Sequence, residues 1–254
     1  MAGCLPRRLP LPGVFTAAAL VSCPPLLIPE LAGTAAQETA DLRAASVEAA
    51  GLLAASAGTW TIVGVGPVSA SFGPDTVGSF AGFGVDVRVG LGVGDGDVVP
   101  DVDQDVPLPV LVGGWLRATA PGDVVAEALV VAADTAPEEC TDIGARLRKQ
   151  LDGEESAQGV LVVADGATTL TPKAPGAFDE RAPQTQRELD RALDTGDLDH
   201  LRRLDPATCS DLGIEGRAAW QVLAGLFGRT PGRVTTTYRG APFGVAYHVG
   251  LWLP

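Results

Sequence analysis

Four short apolar runs constrain most strongly what this chain can fold into. They lie at 14–21, 59–65, 124–133 and 159–163, are rich in valine, alanine and leucine, and lack the strict in-out alternation of a strand with one wet face. Runs of this length suit buried strands of a largely parallel sheet, because helices cover both faces of such a sheet. Segments with helical character lie between them. The stretch 34–56 offers Thr34 as an N-cap and puts Leu42, Ala45, Ala49, Leu52 and Leu53 on one face, with Glu38, Asp41 and Glu48 on the other. A charged helix over 137–151 opens on Pro137, and two or three further helices fill 180–227. Val85, Val87, Val89 and Leu91 alternate and predict a half-buried strand, followed by an acidic loop. Two β-rich runs, 233–239 and 243–253, flank Gly240-Ala241-Pro242 and predict a strand pair at the end. The expected fold class is α/β, with three α/β/α layers around a central mixed or mostly parallel sheet. Sites are expected on the loops beyond the strand ends.

A chain of 254 residues fits one domain of this kind. The expected division is a disordered N-terminal extension over 1–13, which carries Pro6, Pro10 and Pro12, and a single α/β domain over 14–254. With 46% apolar and 19% charged residues the chain is globular in character. A formal charge of −13 repels phosphate backbones, which argues against nucleic acid and against anionic membranes as partners. Arg7 and Arg8 ahead of the apolar run ending in Leu20-Val21-Ser22-Cys23 also read as a lipoprotein signal, which would leave a lipidated Cys23 at the N-terminus. Pro24 and Pro25 make an awkward tether and 14–21 is a good strand in its own right, so the expected location is cytoplasmic, with the anchored lipoprotein as the alternative.

Several motifs fail on inspection. Cys4, Cys23, Cys140 and Cys209 form no C-x-x-C pair, and His200 and His248 are the only histidines, which leaves little for a histidine-based metal site. His200 sits among acidic and arginine neighbours, as on a short surface helix, and His248 reads as a packed strand residue. Gly64-Val65-Gly66 follows a strand but has Ser69 at the third glycine position and a proline-containing loop where a helix should begin. Asp101, Asp103 and Asp105 match the first calcium-loop positions, but Val106 and Val112 take the glycine and glutamate positions, so the run containing Asp95 and Asp97 reads as a solvated loop. No G-x-S-x-G elbow is present.

Five segments in order resemble the LigB-type class III extradiol ring-cleavage dioxygenases. Cys23-Pro24-Pro25-Leu26-Leu27-Ile28-Pro29-Glu30 resembles the opening His-Pro-Pro-Leu-Leu turn of that family, and Gly78-Ser79-Phe80-Ala81-Gly82-Phe83-Gly84 its Gly-Asp-Phe-x-x-Phe-Gly segment. Val162-Val163-Ala164-Asp165, running on to Leu170-Thr171, is similar to its Gly-Asp-Leu-Ser-His-x-Leu-Thr strand end. Gly213 to Gly216 is similar to its Gly-Glu-Cys-Gly helix start, and Tyr238 to Tyr247 to its closing Tyr-Glu-Gly-Pro-Phe-Gly-Val-Gly-Tyr, with one residue added.

The resemblance implies Fe(II) held by two histidines and a carboxylate, with open positions for a catecholate and O₂. In this chain the first histidine position carries Cys23, the second Val65, the acid/base histidine position Thr168 and the carboxylate position Ile214, with Glu215 one residue displaced. A remnant pocket of Cys23, Val65, Asp165, Thr168, Ile214 and Glu215 is therefore expected, with no catalytic residue, no metal ligand set and no cofactor. The expected role is binding, assembly or regulation, with a small-molecule ligand and a homo-oligomer or related subunit as partners. The alternative is an extradiol-dioxygenase-type or other enzyme working through a remodelled site around Cys23, Asp165, Thr168 and Glu215.

Overall fold

The computed structural model describes residues 14–93 and 102–254. The extension expected at 1–13, and Asp95, Asp97 and Asp101, lie outside the described residues. The strands are β1 (Phe15–Val21), β2 (Thr59–Gly66), β3 (Ala70–Phe72), β4 (Val77–Ser79), β5 (Arg88–Gly90), β6 (Val125–Ala132), β7 (Gln158–Val163), β8 (Arg233–Gly240) and β9 (Tyr247–Leu253). The helices are α1 (Pro29–Ala32), α2 (Ala40–Ser56), α3 (Leu108–Thr119), α4 (Pro137–Leu151), α5 (Ala182–Thr195), α6 (Leu198–Arg202), α7 (Pro206–Asp211) and α8 (Arg217–Phe227).

A seven-stranded sheet has the order β3-β6-β2-β7-β1-β9-β8. Its four inner strands, β6, β2, β7 and β1, are parallel, while β3 at one edge and the β9-β8 pair at the other are antiparallel. This is a three-layer α/β/α fold. The apolar runs read from the sequence are these four inner strands, and every residue of β7 is buried. Alternate residues feed two cores. Phe15, Ala18, Leu20, Val160 and Val162 face the layer of α4, α5 and α8. Ala17, Ala19, Val21, Leu161 and Val163 face the layer of α2 and α3. The outer strand β8 carries Arg233, three threonines and Arg239, a polar make-up that discourages pairing with a further strand.

Four local expectations need correction. The span 180–227 holds four helices, α5 to α8, instead of two or three. α2 begins at Ala40 instead of Thr34, because Gly33–Ala36 forms a separate 3₁₀ turn. Arg43 on α2 then donates to the carbonyls of Leu27 at 2.7 Å and Leu26 at 3.0 Å, clamping the turn that follows Cys23. The strand expected over 85–91 shrinks to β5, paired with β4 in a separate two-stranded sheet, since Phe80–Phe83 makes a 3₁₀ turn ending on Gly84 at φ 104°. The helix α3 falls where the sequence reading runs from an acidic loop to the next strand. It holds Val110, Leu111 and Val112 in the core, and Val106 is buried too, so neither Val106 nor Val112 belongs to a calcium loop.

Candidate functional site

The carboxyl ends of the inner strands supply the floor of a cavity of about 610 Å³. β1 runs into Ser22 and Cys23, β7 into Ala164 and Asp165, β2 ends on Val65 and Gly66, and Ala133 follows β6. Open α/β sheets place ligands at this edge, because side chains and loop amides from several strands converge there. One wall is Pro107-Leu108-Pro109 at the start of α3, and the opposite wall is Pro206, Cys209, Ser210 and the turn from Gly213 to Arg217. Gly213 has φ +65°, and a methyl group on Gly216 would come within 2.6 Å of the Asp165 carbonyl oxygen. The turn therefore needs glycine at both places, and the pair lets Ile214 and Glu215 reach the cavity.

Cys23, Val65, Asp165, Ile214 and Glu215 all line this cavity. Thr168 does not. It lies one layer behind, where a methyl group on Gly213 would come within 2.0 Å of its Oγ1, and its backbone N–H donates to Leu212 O at 3.2 Å. Neither histidine lines the cavity. His200 is half-buried on α6, and His248 is buried in β9 with neither ring nitrogen hydrogen-bonded to any of the described residues.

The backbone N–H of Cys23 donates to Asp165 Oδ1 at 2.7 Å and so joins the ends of β1 and β7. Burial is the main force on the Asp165 carboxyl and, with the negative charge of Glu215, pushes it up to about 7; the Cys23 N–H and the Ser22 hydroxyl oppose the shift. No cation forms an ion pair with it among the described residues. Burial, Asp165 and Glu215 together raise the Cys23 thiol well above its ordinary value, so it stays protonated and is a poor nucleophile. Burial likewise pushes the Cys209 thiol up to about 11. Tyr247 is held protonated by burial and by the nearby Asp165 carboxyl.

Arg217 is the lining residue that sequence reading missed. It is only 3% exposed and binds Thr135 O at 2.7 Å, Gln221 Oε1 at 2.8 Å and Ala133 O. One signal was available: a helix that is otherwise almost wholly apolar begins on an arginine, at the end where the helix dipole disfavours a cation. The Gly64-Val65-Gly66 segment takes its glycines from packing, since methyl groups there would come within 2.4 Å of Pro109 Cβ and 2.7 Å of Val130 Cγ1. The strand is followed by β3, with no helix to present its N-terminus to a phosphate.

Fold and site together define a three-layer α/β/α protein with a mixed-polarity cavity at the carboxyl edge of its parallel strands. No family model and no curated protein matches the chain. A solved structure that it resembles is the uncharacterized protein JW3007 from Escherichia coli K12, at 11% identity and a TM-score of 0.54, covering 94% of this chain and 100% of that one. A likeness at this identity speaks for the fold alone. Among the described residues no helix is long and apolar enough to cross a membrane.

Proposed function

We propose that this chain is a LigB-like domain without that family's iron chemistry, and that it serves a binding, assembly or regulatory role through a small molecule held in the cavity. The observation that carries the reading is that five of the six positions singled out by the resemblance line one cavity although they come from three distant parts of the chain and a fourth near Val65. Its volume lies within the range usual for small-molecule sites, and its walls are mostly apolar with a few convergent polar groups.

The donor set does not fit Fe(II). Val65 and Ile214 offer no ligand atom, the Cys23 thiol is held protonated, and one Asp165 oxygen accepts the Cys23 N–H. Among the described residues no group of three or more histidine, cysteine, aspartate and glutamate side chains is arranged to hold a metal ion. The reading also goes with a cytoplasmic protein: the segment that a lipoprotein signal would remove is β1, which lies between β7 and β9 inside the sheet.

Anaerobic reconstitution with Fe(II), followed by gel filtration, is expected to leave less than stoichiometric iron on the protein. A spectrophotometric assay with a panel of catechols is expected to give no yellow ring-opened product. Turnover that disappears on substituting Cys23 or Glu215 would overturn the reading.

A second reading is supported by Asp165 itself. A carboxyl group with a pKa of about 7 in a cavity is suited to general acid-base catalysis near neutral pH. The enzyme alternative therefore rests on Asp165 more than on Cys23, whose thiol is unsuited to attack. Any catalysed reaction found for the protein is expected to fall at least a hundredfold in Asp165→Asn, measured as kcat/KM at pH 7.

A further inference from the structure

Arg217 carries a charge that no carboxylate pairs with among the described residues. All its hydrogen-bond partners among the described residues are neutral: the Ala133 and Thr135 carbonyls and the Gln221 amide, with Cys140 Sγ at 3.9 Å. It belongs to none of the ion pairs among the described residues. Carbonyl oxygens satisfy individual N–H groups but leave the positive charge itself uncompensated, and a buried charge without a counterion costs several kcal/mol. Three hydrogen bonds to oxygen account for three of the five guanidinium N–H donors. The residue nevertheless lines the cavity.

Resting on the ligand-binding reading above, we propose that Arg217 anchors a small organic monoanion, a carboxylate on an apolar body, inside the cavity. The guanidinium fork matches a carboxylate geometrically and would gain its counterion from the ligand. Val65, Pro67, Leu108, Pro109, Val163 and Ile214 provide apolar walls for the rest of the molecule. Trp220 presents a second unsatisfied donor. Its buried indole N–H has no acceptor among the described residues, and a methyl group on Gly216 would come within 2.9 Å of Nε1, so the indole abuts the turn that lines the cavity. The first turn of α8, an 11-residue helix, adds its dipole at the same place.

With Asp165 protonated, the charge balance leaves room for at most one negative charge on the ligand. The cavity holds one arginine against Asp165 and Glu215, and the whole chain carries −13. A second anionic group would meet Glu215 without a cation to receive it, which disfavours nucleotides and other polyanions. Below pH 7 Asp165 is largely protonated and adds a hydrogen-bond donor without a competing charge.

The test compares benzoate with benzamide, which keeps the ring and removes the charge. The full chain, labelled with ¹⁵N, is titrated with each at pH 6, and shifts are followed at the Arg217 side-chain Nε–H and at the amides of Cys23 and Ile214. Benzoate is expected to bind at least tenfold more tightly than benzamide, as suits a hydrogen-bonded ion pair in a partly dry site. Arg217→Gln is expected to abolish that preference; its folding is checked by circular dichroism, and the wild-type comparison stands even where the variant fails to fold. Equal binding of the two probes at these residues overturns the anion anchor and leaves the binding cavity standing. A preference for benzoate that persists in folded Arg217→Gln overturns the assignment to Arg217. Shifts at none of the cavity residues with either probe overturn both this inference and the reading it rests on.

Discussion

Gly225→Ala is expected to destabilise the protein by about 3 kcal/mol, near the upper end of what overpacking usually costs. The added methyl group would come within 2.0 Å of Thr141 O on α4, and a methyl group on Gly144 within 2.0 Å of Val222 O on α8. Both contacts are with backbone, so no side-chain rotation relieves them and the two helices must move apart. That opposes the roughly 1 kcal/mol of helix propensity that alanine gains over glycine, and exceeds it. The α4–α8 crossing also fixes Arg217 against the Ala133 and Thr135 carbonyls, so the displacement reaches the cavity wall. Urea unfolding and thermal melting measure the effect. A loss of about 3 kcal/mol lowers Tm by roughly 6–12 °C in a chain of this size. Gly82→Ala is the control, since a methyl group there meets nothing within 4 Å. A Gly225→Ala variant as stable as this control would show that α4 and α8 do not pack as described.

That crossing illustrates what one sequence discloses and what it withholds. The four inner strands were legible because burial on both faces leaves an unbroken apolar run, as in Gly159-Val160-Leu161-Val162-Val163. The helix α4 was legible because Pro137, Glu138 and Glu139 at its start and Arg148 and Lys149 at its end mark both termini. Nothing local marks Gly144 and Gly225 as contact points, because each glycine's partner backbone lies about 80 residues away in sequence. The helix α3 was illegible for a related reason. Leu108-Pro109-Val110-Leu111-Val112-Gly113-Gly114 has no polar face to give it a period, and its glycine pair reads as a turn. Gly113 is there because a methyl group would come within 2.7 Å of Ile62 Cδ1 on β2.

The candidate site divides the same way. Cys23, Val65 and Asp165 stand at the ends of legible strands, and Ile214 and Glu215 in a glycine-bounded turn, so strand order and resemblance suffice to bring them together. Thr168 illustrates the limit: three residues beyond Asp165 the chain has passed behind Gly213, and sequence spacing cannot tell a lining residue from one a layer back. Arg217 was hidden because its acceptors Ala133 and Thr135 lie 84 and 82 residues earlier.

Asp165→Asn is expected to raise stability at pH 8 by about 3 kcal/mol and to turn a nearly flat dependence of stability on pH between 4 and 6.5 into one that falls on acidification. In the native protein the Asp165 pKa is raised to about 7, so the folded state keeps a proton that the unfolded chain loses near pH 4. Stability from this group is fully present below pH 4 and is lost as pH rises through about 7. A shift of three units corresponds to about 4 kcal/mol, reduced here because the carboxyl keeps some contact with solvent. His248 works in the opposite direction. Its pKa is lowered to about 4, chiefly by burial, with Arg239 adding to the shift and Asp194 opposing it. The folded state therefore refuses a proton that the unfolded chain takes up below about 6.5, and this contribution is lost as pH falls from 6.5 to 4, by about 3 kcal/mol. Between pH 4 and 6.5 the two slopes largely cancel in the wild-type protein. Asparagine retains an oxygen to accept the Cys23 N–H but cannot ionise, so the variant leaves the His248 slope exposed and loses stability on acidification. His248→Leu does the reverse and leaves stability falling from pH 4 to pH 7. Urea midpoints for the three proteins at pH 4, 5, 6, 7 and 8 separate these profiles. Parallel profiles for Asp165→Asn and wild type would mean that Asp165 titrates like an exposed carboxylate, and that the floor of the cavity is far wetter than the burial of its carboxyl requires.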